Sequence, residues 1–285
     1  MNNSMLDQCK RGLRDNFVRL KGDHALHEVG AGDDREFYAE NFEANLVEGI
    51  TSSLFKEDYK NGGQEMEPQK AAPGKMAAIR SSSALVVNTF ARWRADPGSL
   101  RIKGHERFAA MKFEAKCPTG LQGTPPHLDA LLTAGQVVLG IESKCLEYLT
   151  PKIAKFVAAY DNIKDDSRTA SWLPYIEELR RHPDRYHYLD AAQLIKHWLG
   201  LFHTFQESKR SLLYLFWEPM NWSDIQEFRK HRMEVDDFRN WIRPIAPSFE
   251  MLTYAELWES WRNQTEPPWL KAHVERLAAR YRVTI

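Results

Sequence analysis

The chain has 285 residues, 43% hydrophobic and 27% charged, an ordinary globular composition that allows a sizeable core and excludes wholesale disorder. Its 39 Lys and Arg balance 39 Asp and Glu, so any nucleic-acid footprint must be a local patch rather than a broad polycationic surface. Three cysteines without CxxC spacing fit a reducing cytoplasm better than a disulfide framework, and neither a signal core nor ~18 consecutive apolar residues points to export or a membrane span.

Residues 1–35 read as an N-terminal helical extension, in which Leu13, Phe17, Val18 and Leu20 anchor a short amphipathic helix and Gly30 to Asp34 form a loop. From Arg35 to Ile50 the spacing predicts a helix, with Tyr38, Ala39, Phe42, Leu46 and Ile50 on one face at about 100° per residue. Glu43 lies at the margin of that face, and Glu48 points nearly opposite. Residues 56–75, with Asn61-Gly62-Gly63, Pro68, Pro73 and Gly74, read as a loop insertion. Ser81 or Ser82 is placed to cap a helix over the apolar run from Ala84 to Trp93. Arg92, Arg94, Lys103, His105 and Arg107 then form a local basic patch, suited to backbone phosphates or simply a solvated face.

Three short strands follow. Met111 to Lys116 alternates, Pro118, Gly120, Gly123, Pro125 and Pro126 make a loop, His127 to Leu132 is a second run, Gly135 marks a turn, and Gln136 to Cys145 is the third. The two-residue period puts Glu142 and Lys144 on one face of the third strand and Ser143 on the other. Asp129 sits among Leu128, Ala130, Leu131 and Leu132, where a lone carboxylate is costly to bury. It therefore needs a cation. Two carboxylates and a backbone carbonyl on neighbouring strands are hard oxygen donors suited to Mg²⁺ or Mn²⁺. A second triplet, Glu114-Ala115-Lys116, lies on the first strand, but its upstream Asp96 falls in an Asp-Pro-Gly turn that could not hold it rigidly.

Beyond the third strand, Pro151 is placed to open a helix with Ile153, Phe156, Val157 and Tyr160 on its core face, followed by a polar turn from Asn162 to Arg168. Helices are expected over Trp172 to Leu179 and Asp190 to Phe205. On the latter, Leu194, Ile195, Trp198, Leu201 and Phe202 form the buried stripe, and Gln193, Lys196, His197 and Gly200 fall opposite. Ser211 to Trp217 reads as a strand, Asp224 to Trp241 as a helix, Phe249 to Tyr254 as a strand and Ala255 to Trp261 as a helix. Pro267 to Ile285 reads as a last helix carrying Lys271, Arg276, Arg280 and Arg282, for DNA, a partner or solvent. There is no GxxxxGK[ST] loop, so no nucleotide cofactor is expected.

Asp129, a β-turn and then Glu142-Ser143-Lys144 together resemble the PD-(D/E)xK nuclease superfamily. Within it the chain looks most like a bacterial restriction-endonuclease-like group with runs similar to FEAKCPTGLQGTPPHLD and GIESKCLEYL. The likeness is closest over roughly residues 80–150, and Leu128 stands where the pattern has proline. It implies an α/β fold with a restriction-endonuclease-like core, a mixed central β-sheet flanked by helices. Residues 36–262 would be the nuclease domain and 263–285 a C-terminal helix packed on it. By the same resemblance Asp129, Glu142 and the Ser143 carbonyl hold Mg²⁺ or Mn²⁺, and Lys144 positions or helps deprotonate the attacking water. Glu43 reaches the metal or its waters, Glu114 and Lys116 face the same cleft, and Gln193 with Lys196 approach from a later helix. The expected partner is DNA, cut by a homodimer. A catalytically silent nucleic-acid-binding or scaffolding subunit of the same fold is the alternative, and RNA or branched DNA the alternative substrate.

Overall fold

The run Val137-Val138-Leu139-Gly140-Ile141 is apolar at every position, so a strand made from it must be covered on both faces. The computed structural model, which describes residues 4–28, 37–60, 65–68, 73–165 and 169–285, puts this run in the middle of a five-stranded sheet. The strands are β1 (Ala110–Lys116), β2 (His127–Ala134), β3 (Val137–Lys144), β4 (Lys209–Phe216) and β5 (Phe249–Thr253), adjacent in chain order. β1, β2 and β3 form an antiparallel meander, whereas β4 and β5 add to β3 in parallel, so the sheet is mixed. Parallel neighbours require crossovers, and helices supply them.

In chain order the α-helices are α1 (Met5–Lys21), α2 (Lys56–Tyr59), α3 (Ser82–Phe90), α4 (Leu173–Arg181), α5 (Ala191–Thr204), α6 (Gln226–Ile242), α7 (Tyr254–Arg262) and α8 (Leu270–Tyr281). α5 crosses from β3 to β4 and α6 from β4 to β5. α3 begins where its serines predict, because the Ser81 hydroxyl accepts from the Ala84 N–H at 3.1 Å. It is buried from Ser83 to Phe90, polar Asn88 and Thr89 included, and packs on β2 and β3. α1 and α8 pack together. The Asn16 amide donates to the Arg282 carbonyl at 2.8 Å, and the buried Arg280 guanidinium donates to the carbonyls of Leu13 and Ile79.

The mixed α/β architecture is thus the one expected, but three stretches differ. Residues 37–50 are turns and isolated bridges, not a helix. Asn41 accepts from the Ala44 N–H, Asn45 donates to the carbonyls of Met76 and Ala78, and Gly49 takes a φ of 88°. Side-chain amides that bond the backbone compete with a helical ladder. The expected insertion over 56–75 contains α2, whose Asp58 carboxylate accepts from the Phe113 N–H of β1 at 2.9 Å; Asn61-Gly62-Gly63 lies outside the described residues, as do Gly30 to Asp34 and Arg168. After Pro151 there is no helix until the 3₁₀ turns of Ala158–Asp165, because the Ala154 N–H bonds the Pro183 carbonyl. Ile153 and Val157, expected in the core, are 60% and 62% exposed.

Candidate active site

The Ser143 hydroxyl is hydrogen-bonded to the Tyr254 hydroxyl of α7 at 2.6 Å and donates to the Ser82 carbonyl at 3.3 Å. Pinning Ser143 to that face turns its neighbours Glu142 and Lys144 toward α5. α5 is itself fixed by its N-cap, where the Asp190 carboxylate accepts from the Gln193 N–H at 3.0 Å. Gln193 therefore sits in the first turn, and His197 follows one turn later. The Lys144 ammonium donates to Glu142 Oε1 at 2.5 Å and to Gln193 Oε1 at 2.9 Å. The other carboxylate oxygen, Glu142 Oε2, lies 2.8 Å from His197 Nε2.

On the meander side, Phe113 pairs with Ala130 and Ala115 with Leu128, leaving Glu114 and Asp129 between them without a ladder pair. Glu114 has a φ of 45°, a left-handed conformation that non-glycine residues seldom hold outside constrained sites. Its carboxylate meets His127 Nδ1 at 3.2 Å. Asp129 Oδ2 accepts the Ser143 N–H at 2.7 Å. A residue's N–H and C=O leave a strand on the same side, so the Ser143 carbonyl is turned toward the same edge. Glu114, Asp129, Glu142, Ser143, Lys144 and Gln193 all line one cavity of about 680 Å³, with Ser81, Ser82 and Ser83 at the start of α3 also in its wall.

Around the cavity wall Lys10, Lys75, Arg80, Lys144 and Lys152 match Glu65, Glu114, Asp129, Glu142 and Glu147 in number. Burial pushes Asp129 well above the ordinary carboxylate range, and the neighbouring Glu142 adds to the effect. Glu114 is raised to about 7 by burial, then by Glu65 and Glu142. Glu142 goes the other way: burial opposes its ionisation, but Lys144 and His197 outweigh it and hold the group at about 2. Lys144 is likewise held charged, since Glu142 and Asp129 overcome the effect of its burial.

Several expected site residues stand elsewhere. Glu43 is exposed in a turn and does not line the cavity, because the helix meant to aim it does not form. Lys116 is exposed at the end of β1, beyond the cavity. Lys196 packs its ammonium over the rings of Phe156 and Tyr160 and does not line the cavity. In the basic patch Arg92 lies over Trp269, Arg94 pairs with Asp58, and His105 with Glu250. In the C-terminal helix Arg276 pairs with Glu48 and Arg282 with Glu259, while Arg280 is buried. His197 and Gly200, assigned to the outer side of α5, are buried instead, with Gly200 against the Cys117 backbone. α5 is covered nearly all round, so a single-stripe reading misplaces both. The usable signal was Gln193, His197 and Gly200 at helical spacing, two polar groups and a small residue on one side.

Among the described residues no group of three or more His, Cys, Asp or Glu side chains is gathered as a ready metal cage. The two carboxylates Asp129 and Glu142 with the Ser143 carbonyl remain, a hard oxygen donor set whose chemistry fits Mg²⁺ or Mn²⁺. A mixed five-stranded sheet flanked by helices is the architecture of a restriction-endonuclease-like core. The chain belongs to the family described as restriction endonuclease associating with ARP, whose model matches residues 13–282. Comparison with curated proteins and with solved structures finds no significant match. No helix among the described residues is long and apolar enough to cross a membrane.

Proposed function

We propose that this chain is a metal-dependent DNA endonuclease of the PD-(D/E)xK type, acting in restriction or defence. The observation that carries the reading is the convergence of Asp129, Glu142 and Lys144 in one cavity, with Gln193 steadying the lysine. Asp129, Glu142 and the Ser143 carbonyl would hold Mg²⁺ or Mn²⁺. Bound there, the cation supplies a polarised phosphodiester and a water of lowered pKa. Lys144, kept charged by its two acidic neighbours, stabilises negative charge on the phosphoryl oxygens in the transition state. The family's description names association with ARP, and we extend that association to this chain, together with a homodimer that cuts both strands.

The test is cleavage of supercoiled plasmid, and in parallel of structured RNA, with Mg²⁺, Mn²⁺ or EDTA. Metal-dependent nicking or linearisation of DNA is expected. Binding to DNA with no cleavage of either polymer in any metal would replace this reading with that of a silent binding subunit.

A further inference from the structure

Three histidines are buried among the described residues, and two have neutral partners. His231 Nε2 bonds the Tyr214 hydroxyl at 3.0 Å with its ring stacked on Tyr148, and His273 Nε2 faces the Thr89 carbonyl. His197 differs. Buried like the other two, it alone faces a carboxylate: its Nε2 stands 2.8 Å from Glu142 Oε2, though its N–H direction is not aligned as a hydrogen bond. Off-axis contacts of this kind are common in empty catalytic sites and tighten on ligand binding.

The Glu142 carboxylate is thus gripped at both ends, by Lys144 at Oε1 and by His197 at Oε2. A carboxylate offers about four lone-pair sites. Two contacts therefore leave capacity for a cation, and what they fix is the orientation of the group. With Gln193 on Lys144 and His197 on Glu142, one turn apart, α5 addresses both charged members of the Glu142-Ser143-Lys144 triplet.

We infer that His197 is a positioning residue for Glu142, holding Oε2 so that the carboxylate meets a divalent cation in one orientation. The inference rests on the nuclease reading, and it is tested by metal binding alone. Calorimetric titration of the full chain with Mn²⁺ compares wild type with Glu142→Ala, His197→Ala, His197→Gln and His197→Asn. Removing such an outer partner of a ligand weakens metal binding by about 10- to 100-fold. His197→Ala should show that loss. The Gln side chain carries an amide N–H near the place of Nε2, and Asn carries one near Nδ1, so rescue by Gln and not by Asn is expected. That pair reads the contact even if the alanine variant is poorly folded. Wild-type affinity in His197→Ala, or equal weakening in Gln and Asn variants, would overturn the inference and leave the nuclease reading standing. Wild type that binds Mn²⁺ no better than Glu142→Ala would overturn both.

Discussion

A buried carboxylate 2.5 Å from a buried ammonium is a strong electrostatic pair, and removing either partner leaves the other uncompensated. Glu142→Ala and Asp129→Ala are therefore each expected to abolish cleavage, with a loss of at least ~10³-fold, the scale of removing a group that stabilises developing charge. Single-turnover cleavage of a plasmid checks this. Glu114 makes a second prediction at this scale. Its φ of 45° favours glycine, so Glu114→Gly should be more stable than Glu114→Ala by about 1 kcal/mol, the reverse of their usual order in a strand. Urea unfolding of the two variants reads the difference. The Glu142-Ser143-Lys144 triplet was legible in sequence because a strand's two-residue period is insensitive to its surroundings. The strain at Glu114 was not, since a left-handed residue inside an alternating run leaves no mark on the pattern.

Whole elements were legible where one physical rule dominated. The meander announced itself by prolines, glycines and alternation, α3 by a serine cap at Ser81 or Ser82, and α5 by the stripe of Leu194, Ile195, Trp198, Leu201 and Phe202. The predicted helices over 35–50 and after Pro151 failed because periodicity says nothing of competing bonds from Asn41 and Asn45, or of the Ala154 N–H to the Pro183 carbonyl. α5 was found, yet its orientation was not. A helix crossing between two parallel strands is buried on several sides, and its stripe is too broad to orient it. Gly200 turns this into a prediction. Gly to Ala inside a helix ordinarily gains up to about 1 kcal/mol. Here a Cβ would stand 2.4 Å from the Cys117 carbonyl oxygen, backbone that cannot step aside. Gly200→Ala should instead destabilise by about 1–3 kcal/mol, lowering the melting temperature by several degrees.

At the scale of the whole molecule, the helices near the two ends of the chain share one face, and α1 supplies Leu6 and Lys10 to the cavity wall. Burial of His231 and His273 lowers them to about 3 and about 4, so both stay neutral in the fold, whereas the unfolded chain protonates them near ~6.5. Their contribution to stability is complete above that value and is lost as pH falls toward about 4, at roughly 1.4 kcal/mol per pH unit for each. Glu114, raised to about 7, works in the opposite direction, as do Asp129 and Glu218, which burial also raises. On going from pH 7 to pH 5 the urea midpoint of His273→Gln should therefore rise relative to that of wild type.

The central claim is that Lys144, held by Glu142 and Gln193, serves phosphodiester hydrolysis at the end of β3. It is tested most directly by the single-turnover rate of plasmid cleavage in Mg²⁺ for wild type and Lys144→Ala, alongside their DNA affinity and melting curves. A folded Lys144→Ala protein that binds DNA but cuts at least ~10³-fold more slowly is the predicted result. Cleavage at the wild-type rate, with the same dependence on Mg²⁺, would contradict the assignment of the site.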